Sequence, residues 1–118
     1  MELRKTKYYL GFYDEAISLL RECIDFFKEE NDRAYLNSLH CLGLCYNHTQ
    51  NYEWCTLTNQ MGIDEGKRLE DTGMEFYFVH SEGVNQWSEG NYNVAIKKLT
   101  SSLPGIINLK DFANESVR

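Results

Sequence analysis

Glu89-Gly90-Asn91-Tyr92-Asn93-Val94-Ala95-Ile96 repeats a pattern that the chain carries twice before, as Leu10-Gly11-Phe12-Tyr13-Asp14-Glu15-Ala16-Ile17 and as Gln50-Asn51-Tyr52-Glu53-Trp54-Cys55. The aligned tyrosines, Tyr13, Tyr52 and Tyr92, stand 39 and 40 residues apart. A fixed period in this range marks helical hairpins stacked in a row, none of which can bury its apolar face alone. The expected fold is therefore all-α, an α-solenoid of antiparallel helix hairpins with about 2.5 to 3 repeats. Such an architecture makes binding the default function.

Outward from the motif, apolar spacing fills in the helices. Tyr13, Ala16, Ile17, Leu20, Ile24 and Phe27 form one stripe of a helix expected from about residue 12 to about residue 30, closed by Asn31 and Asp32. Tyr35, Leu39, Leu42 and Tyr46 make a second stripe, ending near Thr49. A third helix is expected from Tyr52 to about Leu69, weakened by Gly62 and Gly66 at roughly 1 kcal/mol each relative to alanine. Thr72-Gly73-Met74-Glu75 has the form of a capping box, so a fourth helix should begin near Gly73 and run to Gly90. A fifth starts near Asn91, and Pro104-Gly105 predicts a kink or a restart within it.

The 118 residues suit one domain, with no Gly/Ser-rich linker to divide it. A balance of 12 basic against 18 acidic residues gives a net charge of -6, which disfavours a surface for phosphate backbones and hence direct nucleic-acid binding. Neither a membrane-spanning run nor a signal peptide is visible after Met1-Glu2-Leu3-Arg4-Lys5-Thr6-Lys7, so the expected location is cytoplasmic, with the four cysteines as thiols. No motif asks for a cofactor.

The pattern resembles tetratricopeptide repeats over nearly the full chain, and the resemblance implies that the α-solenoid is right-handed. In that family a small residue faces the partner helix, an aromatic follows one turn later, and an aromatic with an alanine three residues on follows the turn. Gly43 with Tyr46 and Gly83 with Trp87 match the first helix; Gly11-Phe12-Tyr13 with Ala16, Tyr52 with Cys55, and Gly90-Asn91-Tyr92 with Ala95 match the turn and second helix. Glycine, alanine or cysteine at these places lets paired helices approach closely. Gln50 replaces a turn glycine, the usual proline is absent, and the period exceeds the family's common length of about 34 residues. Long repeats of this kind are similar to those of bacterial peptide-pheromone receptors, the Rap and PlcR-like families. The catalytic helical bundle and DNA-binding helix-turn-helix of those families are not expected within these 118 residues.

The resemblance implies which side chains line a concave peptide-binding groove. From one repeat it selects Asn37, His40, Leu44, Asn47 and His48, and from the next Tyr77, His80, Val84, Trp87 and Ser88, with Lys5, Tyr8 and Tyr9 in equivalent places in the first. Asparagine amides both donate and accept, so Asn37 and Asn47 can clasp the backbone of an extended peptide while aromatics offer apolar pockets. The plain alternative is that these are solvated polar residues, with Trp87 and Tyr77 in the core. The implied function is a non-enzymatic module that binds a peptide or protein segment, in a bacterial signalling or transcription-regulatory system.

Two other readings stay open. One is a structural scaffold that self-associates as a homodimer through exposed ends at Ile106, Ile107, Leu109 and Phe112. The other is zinc, because Cys41, Cys45 and His48 are spaced four and three apart, with His40 or Cys55 as a fourth ligand. The spacing lacks the paired Cys-x-x-Cys form, and buried cysteine commonly serves as a small hydrophobe. No arrangement resembles a nucleophile turn, a phosphate-cradling loop or an acid/base pair.

Overall fold

Asn31, Asn51, Asp71 and Asn91 stand twenty residues apart, and each immediately precedes a helix in the computed structural model, which describes the backbone of residues 2–117 and the side chains of residues 11–104. The elements are α1 (Glu2–Phe27), α2 (Asp32–His48), α3 (Tyr52–Arg68), α4 (Thr72–Glu89) and α5 (Tyr92–Val117), with no strand among the described residues. The carbonyls of Asn31, Asn51, Asp71 and Asn91 accept from the amides of Tyr35, Cys55, Glu75 and Ala95. The side chains of Asn31 and Asp71 also accept from Ala34 and Met74, each at 3.0 Å. Short polar side chains are favoured here because they satisfy amides that a helix start leaves without a partner.

At three of the four turns the residue before the cap has a positive φ: 64° at Gln50, 55° at Glu70 and 96° at Gly90. That left-handed step points the next amide back into the helix just ended. Asn51 therefore donates to the Tyr46 carbonyl at 2.8 Å, Asp71 to Gly66 at 2.8 Å and Asn91 to Gln86 at 2.9 Å, the pattern of a Schellman closure. One Asx residue thus finishes one helix and begins the next.

Two expectations from the sequence are corrected. The α4 cap is Asp71 rather than Thr72, because the carboxylate one residue earlier takes the Met74 amide and Thr72 is already helical. Gly11 makes no turn, and α1 is continuous from Glu2 to Phe27 rather than divided at residue 11. The left-handed residue followed by an Asx, which closes the turns at Asn51, Asp71 and Asn91, is missing at Leu10-Gly11-Phe12. A lone helical glycine costs only about 1 kcal/mol, too little to end a helix by itself. At Pro104, α5 runs through as one helix and does not restart.

The helices fall into two compact units, Met1–Thr58 and Asn59–Arg118. In the first, α1 packs on α2, and Ile24, Tyr35, Leu36, Leu39 and Tyr46 are buried. In the second, α4 packs against α5 and against the last two turns of α3. Phe78 lies fully buried over Gly62, with its ring where a side chain at position 62 would go. A Cβ on Gly66 would stand 2.8 Å from the Glu75 backbone nitrogen, and one on Gly83 would stand 2.8 Å from Leu99 Cγ. The glycines that weaken α3 as an isolated helix are therefore what lets α4 reach it.

The second unit also encloses a carboxylate. Glu82 is buried and accepts from the side-chain amides of Asn59 at 3.0 Å, Asn85 at 3.4 Å and Gln86 at 2.8 Å. Charge-assisted hydrogen bonds of this kind offset the cost of removing a carboxylate from water. Among the described residues, no helix is long and apolar enough to cross a membrane.

Candidate functional site

Spacings of three and four residues place Asn37, His40, Leu44, Asn47 and His48 along one face of α2, with Leu39, Leu42 and Tyr46 on the buried side. Asn37, Leu44 and His48 are exposed, while His40 and Asn47 are half-buried. The imidazole of His48 lies flat against Tyr13 of α1, with ring centroids 5.3 Å apart and planes 7° apart. His40 is partly withdrawn from water, and burial holds its pKa below the ordinary histidine value. Burial there favours the neutral ring over the charged one.

In the second unit the same register on α4 brings Tyr77, His80, Val84, Trp87 and Ser88 to one face, opposite Phe78 and Glu82. Tyr77, Val84, Trp87 and Ser88 are exposed and His80 is half-buried. Trp87 is not a core residue; it stands 52% exposed, edge-on to the Tyr92 ring of α5 with centroids 4.7 Å apart. The Ser88 hydroxyl donates to the Val84 carbonyl at 3.1 Å. An open depression of about 400 Å³ adjoins this corner, lined by Gly90, Asn91, Tyr92, Asn93 and Val94, with the Tyr92 phenol as its one ionisable group. The side chains of Lys5, Tyr8 and Tyr9, and of Ile106, Ile107, Leu109 and Phe112, lie outside the described residues.

The zinc constellation does not converge. Cys41 is exposed, Cys45 is buried, and the His48 ring is engaged with Tyr13. Among the described residues, no group of three or more His, Cys, Asp or Glu side chains is placed to hold a metal ion. Burial, with the neighbouring Cys41 adding to it, pushes the Cys45 thiol up, which favours the protonated form.

Reading by register missed a group on the far side of the first unit. Arg21 of α1 donates from Nε to the Tyr46 hydroxyl at 3.0 Å. Its guanidinium carbon lies 5.9 Å from the Tyr46 ring centroid and 5.5 Å from that of Trp54 on α3. Tyr46 lies nine residues beyond Asn37, half a turn round α2 from the predicted face. The available signal was the period itself, which sets Trp54 two residues after the tyrosine position of its motif, but the Arg21–Tyr46 contact is non-local and no spacing announces it.

Among known proteins, the chain matches no family model, no curated protein and no solved structure.

Proposed function

We propose that the protein is a non-catalytic helical-repeat module, similar to tetratricopeptide repeats, whose inner-helix faces take an extended peptide or a partner's segment. The observation that carries this reading is the exposed face of α4, where Tyr77, Val84 and Trp87 meet solvent while Phe78 on the opposite side is sealed. Large apolar groups left uncovered in register are what a binding surface presents, since aromatic anchors supply most of the energy of such contacts. The α2 face supports it with Asn37 and Leu44 at the positions forty residues earlier that match Tyr77 and Val84. Asparagine amides there can hold a peptide backbone without reading its side chains. A role in bacterial signalling or transcription regulation is the narrower form of the proposal.

Display of a random peptide library on the immobilised full chain tests it. Sequences should be enriched on the native protein and lost on a variant carrying Asn37→Ala, His40→Ala and Asn47→Ala, or on Trp87→Ala, with helix content retained. Equal capture by all of them would remove the reading.

A second reading, a scaffold that associates with itself, is favoured by α5. Ile63 of α3 is 8% exposed, whereas Leu103, forty residues later and equivalent in the repeat, is 53% exposed together with Tyr92 and Ile96 on the same stripe. Sedimentation equilibrium of native protein against Ile96→Lys separates the two readings. A scaffold loses its oligomer in the variant, and a monomeric peptide receptor changes in neither form.

A further inference from the structure

Arg21 is exposed, yet its guanidinium is tied to the Tyr46 hydroxyl and lies 5.9 and 5.5 Å from the centroids of two aromatic rings. The Tyr46 and Trp54 rings, 6.1 Å apart at 30°, form the support. A free arginine loses much rotamer entropy when it grips a ligand, whereas one already held loses less per hydrogen bond formed. The Nε–H is spent on Tyr46, and the four N–H groups of the two Nη nitrogens remain in fork geometry. Among the described residues, no carboxylate pairs with this guanidinium.

We propose that Arg21, held by Tyr46 and Trp54, is a docking point for a single carboxylate carried beside an apolar group on a partner peptide. The carboxylate would be taken in bidentate form by the Nη groups, the geometry that arginine matches best. The apolar neighbour would lie on the Trp54 indole, 53% exposed, with Leu57 also exposed one turn further along α3. Glu22 and Asp25 stand one and four residues from Arg21 on α1. Their negative charges disfavour a phosphate, which brings up to two charges, more than a monovalent carboxylate. The site lies on the side of α2 away from the Asn37 face and stands independently of the proposed peptide-binding faces.

The test uses the full chain and three probes: N-acetyl-leucine, its uncharged relative N-acetyl-leucinamide, and inorganic phosphate. Nuclear magnetic resonance follows the Arg21 Nε–H and Trp54 indole signals at constant ionic strength. N-acetyl-leucine should shift both signals saturably in the millimolar range, and the amide should bind about tenfold more weakly, the worth of one charged hydrogen-bond pair. Arg21→Gln should abolish the response, Trp54→Ala should weaken it, and Arg21→Lys, which keeps charge but not the fork, should fall between native and Arg21→Gln. Asn37→Ala should leave it unchanged. Equal response to the amide, tighter binding of phosphate, a shift that chloride reproduces, or unchanged binding by a helical Arg21→Gln would each overturn the proposal.

Discussion

The carboxylate of Glu82 on α4 accepts a hydrogen bond from the Asn59 side chain of α3 at 3.0 Å, with both groups sealed from solvent. Removing the acceptor takes a charged partner away from buried amides, whereas a neutral amide in its place keeps part of the network. Glu82→Ala should cost about 3 kcal/mol of unfolding free energy, and Glu82→Gln about half of that. Urea denaturation reads both. A loss under about 0.5 kcal/mol for Glu82→Ala would mean the network contributes little beyond replaceable packing.

Glycines along the helices should respond in opposite directions to alanine. At Gly66 a methyl meets the Glu75 backbone, which cannot swing aside, so Gly66→Ala should destabilise by about 1–3 kcal/mol despite its gain in helix propensity. At Gly11 the corresponding position has nothing within 4 Å, and Gly11→Ala should stabilise by about 0.5–1 kcal/mol. Thermal melts of the two variants check the contrast; the same sign for both would contradict the packing described.

Gln50 and Glu70 hold left-handed backbone conformations that glycine adopts without strain. Gln50→Gly and Glu70→Gly should each raise stability by about 0.5–1 kcal/mol, where glycine inside a helix lowers it. Calorimetric midpoints that fall in both variants would show that the side chains hold these turns.

His40 carries a sign that acid titration can read. Above its ordinary pKa of about 6.5 the ring is neutral in the folded and unfolded chain alike, so its contribution does not change. As pH falls below that value the unfolded chain binds a proton that the half-buried ring resists, and stability is lost down to the lowered folded-state pKa. His40→Gln should flatten the stability curve below neutrality. An unchanged slope would locate the acid sensitivity elsewhere.

Much of this was legible because helices announce themselves locally. Periodicity placed the five helices within a few residues apart from the start of α1 and the far end of α5, and the register from Gly43 and Gly83 picks residues of α2 and α4 that are exposed except for the half-buried His40, Asn47 and His80. Gly11 misleads because a glycine alone makes no turn, whereas the turns at Asn51, Asp71 and Asn91 pair a left-handed residue with the Asx after it. Gly62 and Gly66 read as weak points since propensity describes one helix and their value lies in the neighbour they admit. The Tyr13–His48 stack and the Arg21–Tyr46–Trp54 group join residues dozens of positions apart, and no local pattern encodes such meetings.

With Asn31, Asn51, Asp71 and Asn91 acting as evenly spaced joints, the chain is modular at the level of its seams. A cassette excised from Asn51 through Gly90 begins on an Asx and ends on the left-handed residue that another Asx must follow. Tandem copies of it would ligate without any junction foreign to the native turns, so longer arrays are accessible by duplication alone.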